Sequence, residues 1–287
     1  ARYLTLSVSA IICLLIFSRP FVQRQIFGAC SCGQCVANLV YDTWFRQHYN
    51  PYIQPLLNKQ NSKFSDGLYK WWQKLQSKSK VNYKTVVETV FGIFPNEEEY
   101  SDAGPGRCRT CAVVGNSGNL KGSHYGGFEQ DVGFKTTHRI MYPESAVDVD
   151  NMTHLVLIPF KTLDLQWLIS VFTTQHIDRT YVPVKSAIRA NRDKVMILHP
   201  GFLKYVQERW LQRNGRYPST GFITMIFALH ICDQVSVFGF GADKNGNWHH
   251  YFEHNNHHRN AGNHGGSYEY FIALKLHEKK GIHLYKG

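Results

Sequence analysis

From Cys111 onward, short apolar runs alternate with amphipathic stretches, and no other feature constrains the fold of this chain as strongly. The runs at 112–114, 155–159, 181–184, 195–198 and 235–240 have the length and composition of strands, while 163–174, 201–213 and 220–231 suit helices. Strands joined through helices pair side by side as parallel neighbours, and a parallel sheet is covered by helices. The expected fold class is therefore α/β, a Rossmann-like, mainly parallel sheet flanked by helices. Such sheets take ligands where the carboxyl ends of strands meet helix starts. Two glycine-rich turns follow strand candidates: Gly115-Asn116-Ser117-Gly118-Asn119 after Val114, and Gly239-Phe240-Gly241 after Phe238.

Upstream, apolar residues recur at helical spacing between 36 and about 95: Val40, Trp44 and Phe45, then Leu68, Trp71, Trp72 and Leu75, then Val86, Val87, Val90 and Phe91. Residues 96–106 are acidic and then rich in turn formers, and read as a connection into the α/β part. One catalytic body over 36–287 is expected, helical over 36–106 and α/β over 107–287. Before it, Leu4 to Phe17 is an uncharged apolar run between Arg2 and Arg19. It is shorter than the ~20 residues of a spanning helix, so two readings stand, a signal anchor over 1–22 or a cleaved signal peptide. The anchor is the expectation, followed by a short cysteine-rich stem over 23–35.

Of 287 residues, 43% are hydrophobic and 18% charged, which excludes a disordered chain and a multi-span membrane protein. Lys+Arg 32 against Asp+Glu 21 leaves a net charge of +11, which favours an anionic partner. The basic residues are scattered, with no run longer than Lys279-Lys280, and there is no zinc-finger spacing or aromatic-basic RNA motif. No nucleic-acid partner is expected; a small anionic ligand is.

Cys13 lies in the apolar run, and six cysteines remain: Cys30, Cys32, Cys35, Cys108, Cys111 and Cys232. A secretory address argues for disulfides, with the pairing left open; a zinc cluster from the C-x-C-x2-C and C-x2-C spacings is the alternative. Asn151-Met152-Thr153 is a glycosylation sequon.

Several candidates carry chemistry. The GNSGN turn can present backbone N–H groups and two amides to a nucleotide or sugar, or be only a tight turn. It does not match G-x-G-x-x-G and lacks a Walker lysine. Ser219 or Thr220 can cap a helix over FITMIFALHIC, whose positive end suits a phosphate or carboxylate. Six of the fifteen histidines fall between 249 and 264. They read as a metal site, as acid–base groups, or as solvated loop residues. Asp148-Val149-Asp150 has the D-x-D form of a divalent-ion site, but it follows no clear strand and reads as an exposed turn. No metal is assigned.

Four ordered stretches resemble one family, the animal sialyltransferases, and within it the β-galactoside α-2,3-sialyltransferases acting on Galβ1-3GalNAc. CRTCAVVGNSGNL (108–120) resembles the start of the large motif, and HPGFLKYV with GRYPSTGFITMIFALHICDQVSVFGFG (199–241) the small motif. His250-Tyr251-Phe252-Glu253 resembles the third motif, and His264 with Glu269 the very small motif, His-x4-Glu. The resemblance runs from CSCGQC to HLYKG. It implies a variant GT-A type fold with an amino-terminal membrane anchor. Disulfides Cys30–Cys35, Cys32–Cys108 and Cys111–Cys232 are implied with it, as is a single-pass type II place in the Golgi membrane with the catalytic part lumenal.

The implied donor is CMP-sialic acid and the acceptor a galactose-terminated glycoprotein or glycolipid, with no cofactor. Asn116 and Asn119 match positions lining the nucleotide and reaction site. Ser219, Thr220 and Gly221 match the helix start that meets the donor, and Gly241 a backbone approach to the nucleotide. Gln60, Tyr181 and Tyr217 match donor or acceptor contacts, with Trp248 beside them. His264 matches the general base and His250 the residue that hydrogen-bonds the departing phosphate. One departure stands out. Tyr125-Gly126 runs straight into Gly127-Phe128-Glu129, so a strand that the family places in its large motif, together with its nucleotide-contacting Asn, is missing. Removing a central strand bares the hydrogen-bonding groups of its neighbours. Two functions therefore stand: an inverting, metal-independent α-2,3-sialyltransferase, or a catalytically impaired homologue that binds CMP or glycan.

Overall fold

The computed structural model describes residues 30–75, 81–96, 106–123, 136–242 and 264–285. Three helices lead: α1 (Thr43–His48), α2 (Asp66–Gln73) and α3 (Tyr83–Ile93). Each starts where a polar side chain can take up an orphan N–H. Asp42 accepts from Phe45 N (2.8 Å), Ser65 from Leu68 N (3.3 Å) and Asn82 from Lys84 N (3.0 Å). The apolar faces then dock on the α/β part; buried Trp72 donates from Nε1 to the Pro159 carbonyl at 2.7 Å.

The α/β part runs β1 (Thr110–Val114), β2 (His138–Met141), β3 (His154–Leu157), α4 (Thr162–Val171), β4 (Val195–Ile197), α5 (Pro200–Tyr205), α6 (Thr220–Ile231), β5 (Gln234–Phe238), α7 (Gly266–Glu278) and β6 (His283–Leu284). Every ladder among these strands is parallel. They form two three-stranded sheets, β1-β5-β6 and β2-β3-β4. Among the described residues no ladder joins β1 to β2; residues 124–135 between them, where the resemblance finds a strand missing, lie outside the described residues. Helix α6 lies against β1 and β5 of one sheet and β2 of the other. Phe222, Ile223, Met225, Ile226, Phe227 and Leu229 are buried around it, so it is apolar on nearly all sides because it is packed on nearly all sides.

Three disulfides join Cys30 to Cys35, Cys32 to Cys108 and Cys111 to Cys232. Between them they use all five sulfurs of the proposed zinc cluster, with Cys232 as the sixth partner, which leaves none of those cysteines as a thiolate for a metal. Asp233 reinforces the third. It accepts from Arg107 Nε (2.8 Å) and Nη2 (2.9 Å) and from Arg109 N (2.8 Å), tying the start of β1 to the end of α6.

Two expectations need correction. Residues 181–184 are not a strand; Tyr181 is 50% and Val182 44% exposed, at the tip of a loop closed by an Arg179–Pro183 bridge. Branched and aromatic residues favour strands only when a neighbouring strand buries them. The expected membrane anchor also fails as part of the fold: among the described residues no helix is long and apolar enough to cross a membrane. The longest, α7, has 13 residues and rises about 20 Å, against a hydrocarbon core of ~30 Å. The very apolar α6 spends its apolar surface on the core. Residues 1–22 lie outside the described residues, and the single-pass Golgi-membrane placement that rested on them is not retained.

His138 on β2 stacks on His154 with ring centroids 4.9 Å apart. Burial, then the charges of His154, Arg109 and Lys194, lower its pKa to about 4. The folded state thus keeps it neutral while the unfolded chain takes up a proton near pH 6.5. The stabilisation is present above that pH and is lost as pH falls toward 4. Between pH 7 and 5 the loss from this residue is expected to be about 1–2 kcal/mol. Urea unfolding of the wild type and His138→Phe at both pH values checks it, since the variant should lose less on acidification.

Candidate active site

The carboxyl ends of β1 and β5 form the floor of the site, and hydrogen bonds lock the turns that follow them. Gly115 N donates to the Phe238 carbonyl (2.8 Å) and Ser117 N to that of Gly239 (3.1 Å). Ser117 Oγ donates to the Gly241 carbonyl (2.5 Å) and Asn119 Nδ2 to that of Phe240 (2.6 Å). Glycine is required here for space. A Cβ on Gly115 would lie 2.4 Å from the Gly239 oxygen, and one on Gly241, at φ +93°, 2.5 Å from the Tyr270 ring. Asn116 is exposed, whereas Asn119 Oδ1 is buried with no hydrogen-bond partner among the described residues. An orphan acceptor at the end of two parallel strands suits an N–H or O–H of a ligand.

The amino terminus of α6 closes one side. Ser219 caps it, accepting from Phe222 N at 3.1 Å, and its own hydroxyl and N–H both donate to Glu269, at 2.5 and 2.7 Å. Thr220 and Gly221 follow in the first turn, and a Cβ on Gly221 would sit 3.2 Å from the Phe240 ring, so the turn after β5 packs against the helix start. Glu269 is 8% exposed. Burial raises its pKa, and the Ser219 hydrogen bonds and the charge of His264 draw it back down. Glu269→Ala leaves the half-buried Ser219 N–H and hydroxyl without their partner and should cost about 1–3 kcal/mol in urea unfolding.

His264 lies two residues before α7, whose cap position is Gly265, and is held against Gly215 by an antiparallel bridge. Its Nδ1 lies 3.1 Å from the Tyr217 carbonyl, and its ring meets the Tyr217 ring edge-on at 4.9 Å. A carbonyl can only accept, so Nδ1 carries the hydrogen. That makes Nε2 the acceptor nitrogen, able to take a proton from an alcohol. Tyr217 in turn packs on Phe160 at 5.5 Å.

Contacts therefore join Asn119, Ser219, Thr220, Gly221, Gly241, Tyr217 and His264 into one site. Tyr181 lies near it over the Lys161 ammonium, 4.3 Å from Nζ to the ring centroid. Gln60 sits in the helical part, where Asn96 Nδ2 donates to its Oε1 at 3.4 Å. His250 and Trp248 lie outside the described residues, as do His249, His254, His257 and His258. The D-x-D pair is engaged locally: Asp148 with Arg189 (3.2 Å) and Lys185 (3.7 Å), and Asp150 accepting from Met152 N and Thr153 N (both 2.8 Å). Asn151 of the sequon is exposed in that turn. From sequence, Glu269 counted only as the partner of His264 in a motif. Its structural part, bracing the cap of α6, was signalled by nothing but the His-x4-Glu spacing.

Residues 56–281 match the profile of glycosyltransferase family 29 (sialyltransferase). The chain belongs to this sialyltransferase family. It is 44% identical over 281 residues to CMP-N-acetylneuraminate-beta-galactosamide-alpha-2,3-sialyltransferase 1 of Gallus gallus, covering 90% of this chain and 82% of that protein. The Homo sapiens protein of the same name is 41% identical over 281 residues, covering 90% and 83%. A crystal structure of a mammalian sialyltransferase superposes with a TM-score of 0.82 at 41% identity, covering 90% of this chain and 99% of that one. Another, in complex with Gal-beta-1-3GalNAc-ortho-nitrophenol, superposes at 0.80 with the same identity and coverage. In this sialyltransferase the turns after β1 and β5, the α6 cap and His264 lie together.

Proposed function

We propose that this sialyltransferase moves sialic acid from CMP-sialic acid to the 3-hydroxyl of a terminal galactose, on Galβ1-3GalNAc of a glycoprotein or glycolipid, with inversion. The tautomer of His264 carries the reading. With Nδ1–H engaged by the Tyr217 carbonyl, Nε2 takes the galactose hydroxyl proton as that oxygen bonds to the anomeric carbon and the bond to CMP breaks. The α6 start and the Asn119 turn supply N–H groups and an acceptor for the donor. His250, by resemblance, hydrogen-bonds the departing phosphate.

CMP leaves with a single phosphate, so histidine and helix-start donors can stabilise it where a diphosphate donor needs a divalent ion. EDTA is accordingly expected to leave the rate unchanged; loss on chelation and recovery with a metal would overturn the metal-free reading. The decisive assay incubates the chain with CMP-sialic acid and Galβ1-3GalNAc. A sialylated disaccharide supports transfer. The strand missing from the sequence after Gly126, with no ladder joining β1 to β2 among the described residues, favours a second reading, an impaired homologue, which predicts CMP or glycan binding without turnover.

A further inference from the structure

Lys161, at the cap position of α4, is 2% exposed, an unusual place for an ammonium. Its Nζ lies 2.5 Å from Asp164 Oδ1 and 3.1 Å from Glu144 Oε1. The two acids have other duties. Asp164 accepts from Phe160 N (2.8 Å) and Lys161 N (3.1 Å), closing the start of α4, and Glu144 accepts from the hydroxyl of Thr180. Burial raises the Asp164 pKa to about 6 against the pull of Lys161.

Thr180 leads into the exposed loop over residues 181–184 that was expected to be a strand. Thr180 N donates to the Val182 carbonyl (3.0 Å), Val184 N to that of Asp178 (2.7 Å), and Trp167 Nε1 anchors the loop's far end at the Lys185 carbonyl (2.8 Å). The loop is thus exposed but held at three places, by Glu144, by α4, and by Lys161 beneath the Tyr181 ring. Burying a cation and two acids is costly, and a solvent-facing loop gains nothing from it unless the geometry of its tip matters. The same short segment reaches His264 by another path, because Phe160, the residue before Lys161, packs on Tyr217 and Tyr217 on His264. That path ends at His264, the base proposed to meet the acceptor hydroxyl, and does not pass through the turns after β1 and β5 proposed to meet the nucleotide, which puts the loop on the acceptor side.

We propose that Lys161, fixed by Asp164 and Glu144, is a positioning residue that sets Tyr181 as a wall of the acceptor subsite at a defined place relative to His264. The proposal rests on the transfer reading above. A cation on one face of the ring restrains it by an interaction that a neutral side chain cannot supply.

The test compares five forms of the full chain: unaltered, Lys161→Met/Asp164→Asn/Glu144→Gln, Lys161→Arg, Tyr181→Ala, and the triple variant combined with Tyr181→Ala. The triple variant removes the three charges while keeping acceptors for the α4 start and for Thr180. Its acceptor KM is expected to rise about three- to thirtyfold with donor KM and Tm little changed. Lys161→Arg should recover most of that loss, and adding Tyr181→Ala to the triple should cost no more than Tyr181→Ala alone. A rise in donor KM equal to that for acceptor, a rise that tracks a fallen Tm, or independent multiplication of the two effects overturns the proposal. A 19F spectrum of the Tyr181→3-fluorotyrosine chain separates this from failure of the transfer reading. If the unaltered chain gives no product, a resonance that moves on charge removal upholds the Lys161–Tyr181 coupling while transfer falls; a resonance that stays put overturns the coupling, whatever the turnover.

Discussion

Replacing His264 by alanine is expected to lower kcat by about 10²–10⁴-fold, the range for losing a general base, with CMP binding unchanged. The separation follows from geometry. The groups that would meet the nucleotide, the turns after β1 and β5 and the cap of α6, are held by Phe238, Phe240, Gly241 and Glu269 rather than by the imidazole. Glu269 does lose a neighbouring positive influence, so the variant's thermal transition should be followed alongside its rate. Single-turnover kinetics with CMP-sialic acid and Galβ1-3GalNAc reads the chemical step directly. An unchanged rate would remove His264 from the mechanism. His264→Gln should be nearly as slow as His264→Ala, because an amide can donate to the Tyr217 carbonyl but cannot take up a proton near neutrality.

The second large effect is on stability. The Cys111–Cys232 bond closes a loop with a sequence separation of 121. Replacing both cysteines with serine is expected to cost about 4–5 kcal/mol through the freedom returned to the unfolded chain. The Cys30–Cys35 bond, with a separation of 5, should be worth about 2 kcal/mol by the same reasoning. Urea denaturation of the two double variants under non-reducing conditions tests the order. Equal losses would show that loop length is not what sets these contributions. The larger loss also matters for the site, since Cys232 caps α6, the helix whose other end carries Ser219.

Strong local patterns were legible. The runs around Ala112–Val114, Leu155–Leu157, Val195–Ile197 and Val235–Phe238 lie in parallel strands, and 220–231 is the helix Thr220–Ile231. Each is long or apolar enough for local composition to specify it. The short β2 and β6 were not read. They carry His138, Arg139 and His283, and become strands only because parallel neighbours offer them ladders. Tyr181–Val184 failed the other way: strand-like composition without a strand beside it.

The candidate site divides along the same line. Its residue types and their order, the GNSGN turn, the Ser219 cap and His264 with Glu269, are properties of the sequence, because backbone turns, helix starts and motif spacing are set locally. Which nitrogen of His264 holds the proton, that Glu269 braces Ser219 across a sequence distance of 50, and that Lys161 lies beneath Tyr181 were decided by tertiary structure alone. These depend on groups far apart in sequence meeting within hydrogen-bonding distance. Only the packing of α6 and α7 over the strand ends, and of the 178–184 loop on α4, brings them there.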